Sequence, residues 1–161
     1  MKARRNNTIV VDVLVQSPQW KKKPRTKAVI RAAIRAAADA ISAPNGEVGV
    51  VLADDAGLRK LNRQWRGIDK ATNVLSFPAA EPKAGMLGDI AIAYETLARE
   101  SRHEHKPFAR HLSHLAIHGF LHLMGYDHQN DSDAEAMEKV ERAVLARLGI
   151  PDPYRGRDRR T

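Results

Sequence analysis

Three histidines near the C-terminal end of the chain have the spacing of a metal site. His118 and His122 are four residues apart, so on a helix they lie one turn apart with Cβ atoms about 5–6 Å from each other. Gly125 follows at the usual place for a left-handed helix end. The chain can then reverse and bring His128 over the open side of the pair. The pattern predicts a three-nitrogen metal site with one coordination position left open.

Two further histidines precede this group on the same predicted helix face. His114 and His122 are eight residues apart, about 12 Å of helix rise, so both cannot bind one ion. A pair of His114 with His118 remains possible from spacing alone, but it has no obvious third ligand. We assign His111 and His114 to packing or to support of the ligands. We expect Asp127 to orient a ligand histidine.

The types of ligand residue limit which metals could bind and which reactions the site could catalyse. The chain contains no cysteine, which excludes a closed cysteine-rich zinc site. Three imidazoles suit zinc or a similar divalent ion, and spacing does not choose among zinc, nickel and copper. A water in the open position would become a nucleophile near neutral pH. Gly119 stands where common zinc proteases carry their glutamate base, which argues against a protease.

The histidine run and several other segments resemble the sequence motifs of one known family. The other segments are LNRQWRGIDKATNVLSFP at residues 61–78, LGDI at 87–90, the histidines of 111–114 and DPY at 152–154. Together they span about residues 48–154 and resemble the YbeY family of bacterial endoribonucleases. One departure is Ala71, where the family usually has proline. The resemblance implies one zinc ion per chain held by the three histidines. It also implies cleavage of single-stranded RNA in ribosomal RNA maturation, notably at the small-subunit 3′ end, and in ribosome quality control.

Arg66 matches the arginine on which the family's function depends. A guanidinium offers paired hydrogen bonds to phosphate oxygens and keeps its charge at any working pH. It could hold the scissile phosphate or stabilise charge that develops there. Lys70 and Asn73 are further candidates for contacts with the RNA backbone. Without the resemblance, Arg66 would be interpreted as a surface residue in an ion pair. Attack by water that the metal activates and attack by the adjacent 2′-hydroxyl both remain open.

Hydrophobic periodicity predicts the elements that position these groups. We expect an α+β fold: one compact domain over residues 1–154, with a small mixed four-stranded sheet and about five helices. Asp54 is expected to cap a helix whose Leu58, Leu61 and Trp65 face inward, and Ser132–Glu135 forms a capping-box motif. We expect the 66–73 loop to face the histidine helix across a cleft. Strands are predicted at 8–16, 47–53, 74–77 and 89–93. Helices are predicted at about 26–42, 94–104, 108–124 and 133–148, and the helix that Asp54 caps is expected to end near Trp65.

Charge and composition bear on partners. Of the net charge of +8, residues 1–31 hold nine basic side chains against one acidic, and residues 155–161 form a basic tail that we predict to be disordered. Basic termini attract phosphate backbones and equally suit a solvated terminus. No apolar run reaches the roughly 20 residues of a membrane span. We therefore expect a cytoplasmic protein that acts on ribosomal RNA with the ribosome or its assembly proteins. The alternatives are a non-catalytic ribosome assembly factor with a structural metal, and a metal-dependent hydrolase of peptides or small molecules.

Overall fold

The computed structural model describes residues 8–80 and 85–155. Within these ranges the chain forms a four-stranded sheet and five α-helices, which confirms the predicted α+β class. The tail beyond Arg155 lies outside the described residues. The strands are β1 (Ile9–Val15), β2 (Gly46–Ala53), β3 (Val74–Pro78) and β4 (Met86–Ala93); the helices are α1 (Thr26–Ala40), α2 (Asp55–Arg66), α3 (Tyr94–His103), α4 (Phe108–Leu123) and α5 (Asp131–Arg147), with a short 3-10 helix at Pro18–Lys22.

The sheet is mixed, with strand order β1-β2-β4-β3. Strand β1 runs parallel to β2, and β2 runs parallel to β4. Strand β3 pairs antiparallel with β4, placing Ser76 opposite Ile90 and Val74 opposite Ile92. Each parallel pair needs a long connection, which α1 supplies between β1 and β2. Strand β3 is therefore an edge strand beside the most buried strand of the sheet.

The two faces of the sheet belong to two separate apolar clusters. Val48, Val50 and Leu52 of β2 point into the main core with residues of α1, α4 and α5. The intervening residues Val51 and Ala53 point to the opposite face, in a smaller cluster with α2. This alternation follows from the two-residue period of a strand. The main core thus lies between the sheet and the layer that contains α4, the histidine helix.

Local sequence signals identified some details of the elements and missed others. Asp54 caps α2, its carboxylate accepting from the backbone N–H of Gly57 at 2.8 Å. Leu58 is fully buried, but Trp65 is 66% exposed, so its predicted inward orientation is wrong. The capping-box prediction at Ser132 is also wrong, because α5 begins two residues earlier and Asn130 caps it. Within the described residues, no helix is both long and apolar enough to cross a membrane.

Candidate metal centre and its cavity

Helix α4 presents His118 and His122 toward the same point. Their ring centroids lie 4.6 Å apart, and the two Nε2 atoms are 3.1 Å apart. The helix can hold this position because it packs closely on the sheet at Gly119. A Cβ atom at residue 119 would stand 2.9 Å from Ile90 Cγ2, and the hydroxyl of Ser76 donates to the Gly119 carbonyl at 2.8 Å. The glycine that argues against a protease therefore serves helix packing.

A left-handed turn returns the third histidine to the pair. Gly125 has φ +96°, which is the left-handed conformation predicted for it at the end of the histidine helix. The N–H of Tyr126 then bonds to the carbonyl of Leu121 at 3.0 Å. The ring of His128 comes within 5.0 Å of the His122 ring, centroid to centroid. One ligand nitrogen from each of the three residues lies within 4.8 Å of the others, so the predicted trio is brought together.

A carboxylate that the sequence analysis did not assign orients the first of these rings. Glu141 of α5 is fully buried, and its Oε1 lies 3.1 Å from Nδ1 of His118. Its Oε2 contacts Nε2 of His114 and accepts from the hydroxyl of Tyr154 at 2.6 Å. His114 and His118 therefore contact the same carboxylate. Glu141 was detectable, because it occupies the apolar face of α5 with Met137, Val144 and Leu145.

The electrostatics of Glu141 determine which nitrogen of His118 is free. Burial disfavours its charge, but hydrogen bonds from His114 and His118 outweigh burial and lower its pKa from 4.5 to about 2. An ionised carboxylate only accepts hydrogen bonds, so Nδ1 of His118 is the donor. In the neutral ring, Nε2 of His118 then keeps its lone pair for a ligand bond. This is how metal-binding histidines are commonly held.

The second helix histidine is also kept in the form that binds metals. Burial lowers the pKa of His122 to about 4, and the neighbouring His118 and His128 act in the same direction. A neutral imidazole offers a nitrogen lone pair, whereas the protonated ring offers none. Three imidazole ligands fit zinc and other borderline divalent ions, while calcium and magnesium prefer oxygen ligands.

Asp127 was expected to orient a ligand histidine, and it contacts the main chain of His128. Its Oδ1 accepts from the backbone N–H of His128 at 2.7 Å, so the contact fixes the main chain of a candidate ligand. Asp127 does not join the donor cluster, which among the described residues contains only the three histidines. The arrangement thus resembles open catalytic sites, which have three protein ligands, more than closed structural sites, which have four.

A cavity of about 770 Å³ adjoins the three histidines, and its opposite wall is the loop after α2. The predicted cleft between loop and histidine helix is therefore present. Arg66 lines it as the last residue of α2, before Gly67 in the left-handed conformation. Lys70 and Asn73 line it as well. The Asn73 amide donates to Glu100 at 3.0 Å, a cavity residue that the sequence analysis did not identify.

The fold and the site define an α+β protein with a candidate three-histidine metal centre in an open cleft. The model of the family described as Endoribonuclease YbeY matches residues 14–149. The chain belongs to this family.

Individual relatives are similar to this chain over most of their length. The chain is 57% identical to the endoribonuclease YbeY of Bradyrhizobium diazoefficiens, covering 94% of this chain and 88% of the relative. It is 55% identical to that of Rhodopseudomonas palustris, covering 92% and 91%. The solution structure of TM1509 from Thermotoga maritima matches with a TM-score of 0.53 and 24% identity, over 92% of this chain and all of the other. This last similarity concerns the fold alone.

Proposed function

We propose that the protein is a zinc-dependent endoribonuclease that cleaves single-stranded RNA. Family membership supports the endoribonuclease activity. The observation that supports the chemistry is that the three histidines and Arg66 line one cavity. A metal centre facing a permanent cation suits a phosphodiester substrate, because charge develops on the phosphate during cleavage. We also propose that the protein acts in the cytoplasm.

His118, His122 and His128 would hold the metal. When bound, the ion would supply Lewis acidity at the phosphate and make a water molecule more acidic. Glu141 keeps the His118 ring turned so that Nε2 faces the site. The lowered pKa of His122 keeps this ring neutral at neutral pH. These residues thus preorganise the ligand atoms before any substrate arrives.

Arg66 would bind the scissile phosphate from the opposite wall. Its side chain is exposed and lines the cavity. Lys70 would contact a phosphate of the same strand as a second cation. Asn73 has one amide hydrogen directed at Glu100, which leaves its second hydrogen and its carbonyl oxygen for the substrate. The groups that line this wall can bind an RNA backbone without reading its sequence.

We further propose that the physiological substrate is ribosomal RNA, including the 3′ end of the small-subunit RNA. The cavity shows no base-recognition module, so specificity would come from the ribosome or from its assembly proteins. This part rests on the resemblance of the sequence to its family. Cleavage of precursor ribosomal RNA within purified subunit particles, compared with the same RNA alone, tests it.

Two nucleophiles fit the proposed cavity. In one mechanism an activated water attacks phosphorus; in the other the adjacent 2′-hydroxyl attacks. A strand with a single 2′-deoxy residue at the scissile position distinguishes them. Unimpaired cleavage of that strand excludes the 2′-hydroxyl mechanism.

The experiment that tests the proposal compares wild type with His118→Ala and Arg66→Ala. Bound metal is measured by elemental analysis, folding by circular dichroism, and cleavage with a fluorescent single-stranded RNA. We expect the histidine variant to lose metal and cleavage, and the arginine variant to keep metal and lose cleavage. The matched controls are His103→Ala and Arg63→Ala, since both residues are exposed and neither lines the cavity.

The same experiment addresses the alternative of a non-catalytic assembly factor. If wild type binds metal but cleaves no RNA, and His118→Ala unfolds on losing the metal, the metal is structural. Cleavage of a peptide panel without cleavage of RNA would favour a different hydrolase. Either result would overturn the endoribonuclease proposal.

A further inference from the structure

Glu100 is an acidic side chain that the proposed mechanism does not use. It lies on α3, and its carboxylate lines the same cavity as the three histidines and Arg66. About 36% of its side chain is exposed. A carboxylate in a cavity proposed to bind a polyanion repels the phosphate oxygens, so it is better placed against a hydrogen-bond donor of the substrate. Its position therefore calls for an explanation in terms of the substrate.

Two side chains from other elements fix the Glu100 carboxylate. Nε2 of His111 lies 2.8 Å from Oε1. The Asn73 amide lies 3.0 Å from Oε1 and 3.3 Å from Oε2. His111 is itself almost fully buried, with 6% of its side chain exposed. The carboxylate is thus held in one orientation by the histidine helix and by the cleft loop.

The fixed carboxylate retains unused acceptor capacity. An ionised carboxylate has about four lone-pair sites, and both short contacts fall on Oε1. Oε2 receives only the longer contact with Asn73. Within residues 8–80 and 85–155, no other donor is within hydrogen-bonding distance of it. Oε2 can therefore accept a hydrogen bond from a substrate in the cavity.

The charge of Glu100 restricts what it can bind. Burial disfavours ionisation, but hydrogen bonds from His111 and Asn73 outweigh it, and the pKa of Glu100 is lowered. The group is then an anion that accepts hydrogen bonds and repels phosphate oxygens. Along an RNA strand, the donor adjacent to each phosphodiester is the ribose 2′-hydroxyl, which DNA lacks. Arg66 on the other side of the cavity suits the phosphate itself.

We propose that Glu100 accepts a hydrogen bond from a ribose 2′-hydroxyl and so selects RNA over DNA. The proposal rests on the proposed endoribonuclease function. Glu100 is then a substrate-contacting residue, with His111 and Asn73 as positioning residues. This role is compatible with either nucleophile, because it concerns binding of the ribose.

The test is a double-mutant cycle, in which the Glu100 side chain and the substrate 2′-hydroxyl are removed separately and together. Full-length, zinc-loaded protein is mixed with a fluorescent single-stranded RNA or with its 2′-fluoro counterpart. The 2′-fluoro strand cannot donate at that position. Binding is read within seconds by stopped-flow anisotropy, and a gel checks that the RNA is intact. The variants are Glu100→Ala and, as a better-folding substitute, Glu100→Gln; the control is Glu47→Ala, a carboxylate on β2 that lines none of the cavities next to Glu100.

We expect wild type and the Glu47 variant to bind RNA about tenfold more tightly than the 2′-fluoro strand, the size of one hydrogen bond to a charged group. Glu100→Ala should bind both strands equally, and Glu100→Gln should show a reduced preference. An unchanged preference in both Glu100 variants overturns the proposal while leaving cleavage by wild type intact. Wild type that neither binds nor cleaves RNA overturns the proposed function as well.

Discussion

The buried carboxylate of Glu141 accepts a hydrogen bond from Nδ1 of His118 at 3.1 Å, across 23 residues of sequence. The same carboxylate holds His114 and Tyr154. It thereby connects α5 and the residues after α5 to the candidate metal centre. The orientation of one ligand ring is thus set by a helix that contributes no ligand.

Replacing this carboxylate should weaken metal binding without removing a ligand. We expect Glu141→Gln to lower zinc affinity by about 10- to 100-fold, because the ring of His118 loses its charged acceptor. The measurement is competition with a chromophoric chelator. Glu47→Gln is the control, since Glu47 lies on β2 and lines neither of the cavities that the histidines line. Equal affinity in wild type and Glu141→Gln would contradict the orienting role.

The stability that Glu100 provides should depend on pH in a definite direction. Its pKa is lowered from 4.5 in the folded protein by hydrogen bonds from His111 and Asn73. A group with a lowered pKa stabilises the fold above its unfolded pKa, and this stabilisation is lost as the pH falls through the folded pKa. The difference in unfolding free energy between wild type and Glu100→Gln should therefore be larger at pH 7 than at pH 3.

Urea denaturation at the two pH values measures this difference. The effect is expected to be small, because the side chain is partly exposed and solvent screens the interaction. Glu47→Gln serves as the comparison, since Glu47 lies on β2, away from Glu100 and its two partners. A difference that grows on acidification would show that the carboxylate is not stabilised by its two partners.

Close packing at Gly119 should make this position intolerant of a side chain. In Gly119→Ala the new Cβ would lie 2.9 Å from Ile90 Cγ2 and 3.2 Å from the Ser76 hydroxyl. Helix α4 must then move away from the sheet, at a cost of about 1–3 kcal/mol in unfolding free energy. Zinc affinity should fall too, because His118 and His122 move with the helix. Ala136→Ser, on the exposed side of α5, should change neither quantity measurably.

Because Trp65 is exposed, its replacement by alanine should destabilise the protein less than replacement of the smaller, buried Leu58. Leu58→Ala should lower the unfolding free energy by about 2–5 kcal/mol, because Leu58 is fully buried. Trp65→Ala should cost less than about 1 kcal/mol, since the ring is 66% exposed and its edge contact is with Phe77 at 6.3 Å. Chemical denaturation gives both values. If Trp65→Ala cost as much as Leu58→Ala, the ring would be buried in solution.

The sequence predicted the elements well where one face of an element is uniformly buried. On α4 the apolar residues at three- and four-residue spacing are all buried: Leu112, Leu115, Ala116, Phe120 and Leu123. The helix ends two residues before Gly125, where the glycine predicts. The pattern failed at Trp65, because its ring contacts Phe77 of β3 along one edge and is otherwise exposed to solvent. Helical periodicity shows which residues share a face, but it cannot show where the opposing surface ends.

By itself, the sequence determined the three candidate ligands and the helix end that allows the chain to bring them together. His118 and His122 are neighbours through helix geometry, and Gly125 permits the left-handed turn that precedes His128. These relationships are local, so residue spacing is enough to specify them. Arg66 came instead from the resemblance of residues 61–78 to a known family.

Only the tertiary structure decided what surrounds these residues. Glu141 reaches His118 because α5 packs against α4, and Glu100 meets Asn73 because α3 adjoins the cleft loop. Such contacts join residues more than 20 positions apart, and no local spacing encodes them. Their charge states follow from the same packing, because burial and hydrogen-bond partners set a pKa only after the chain has folded.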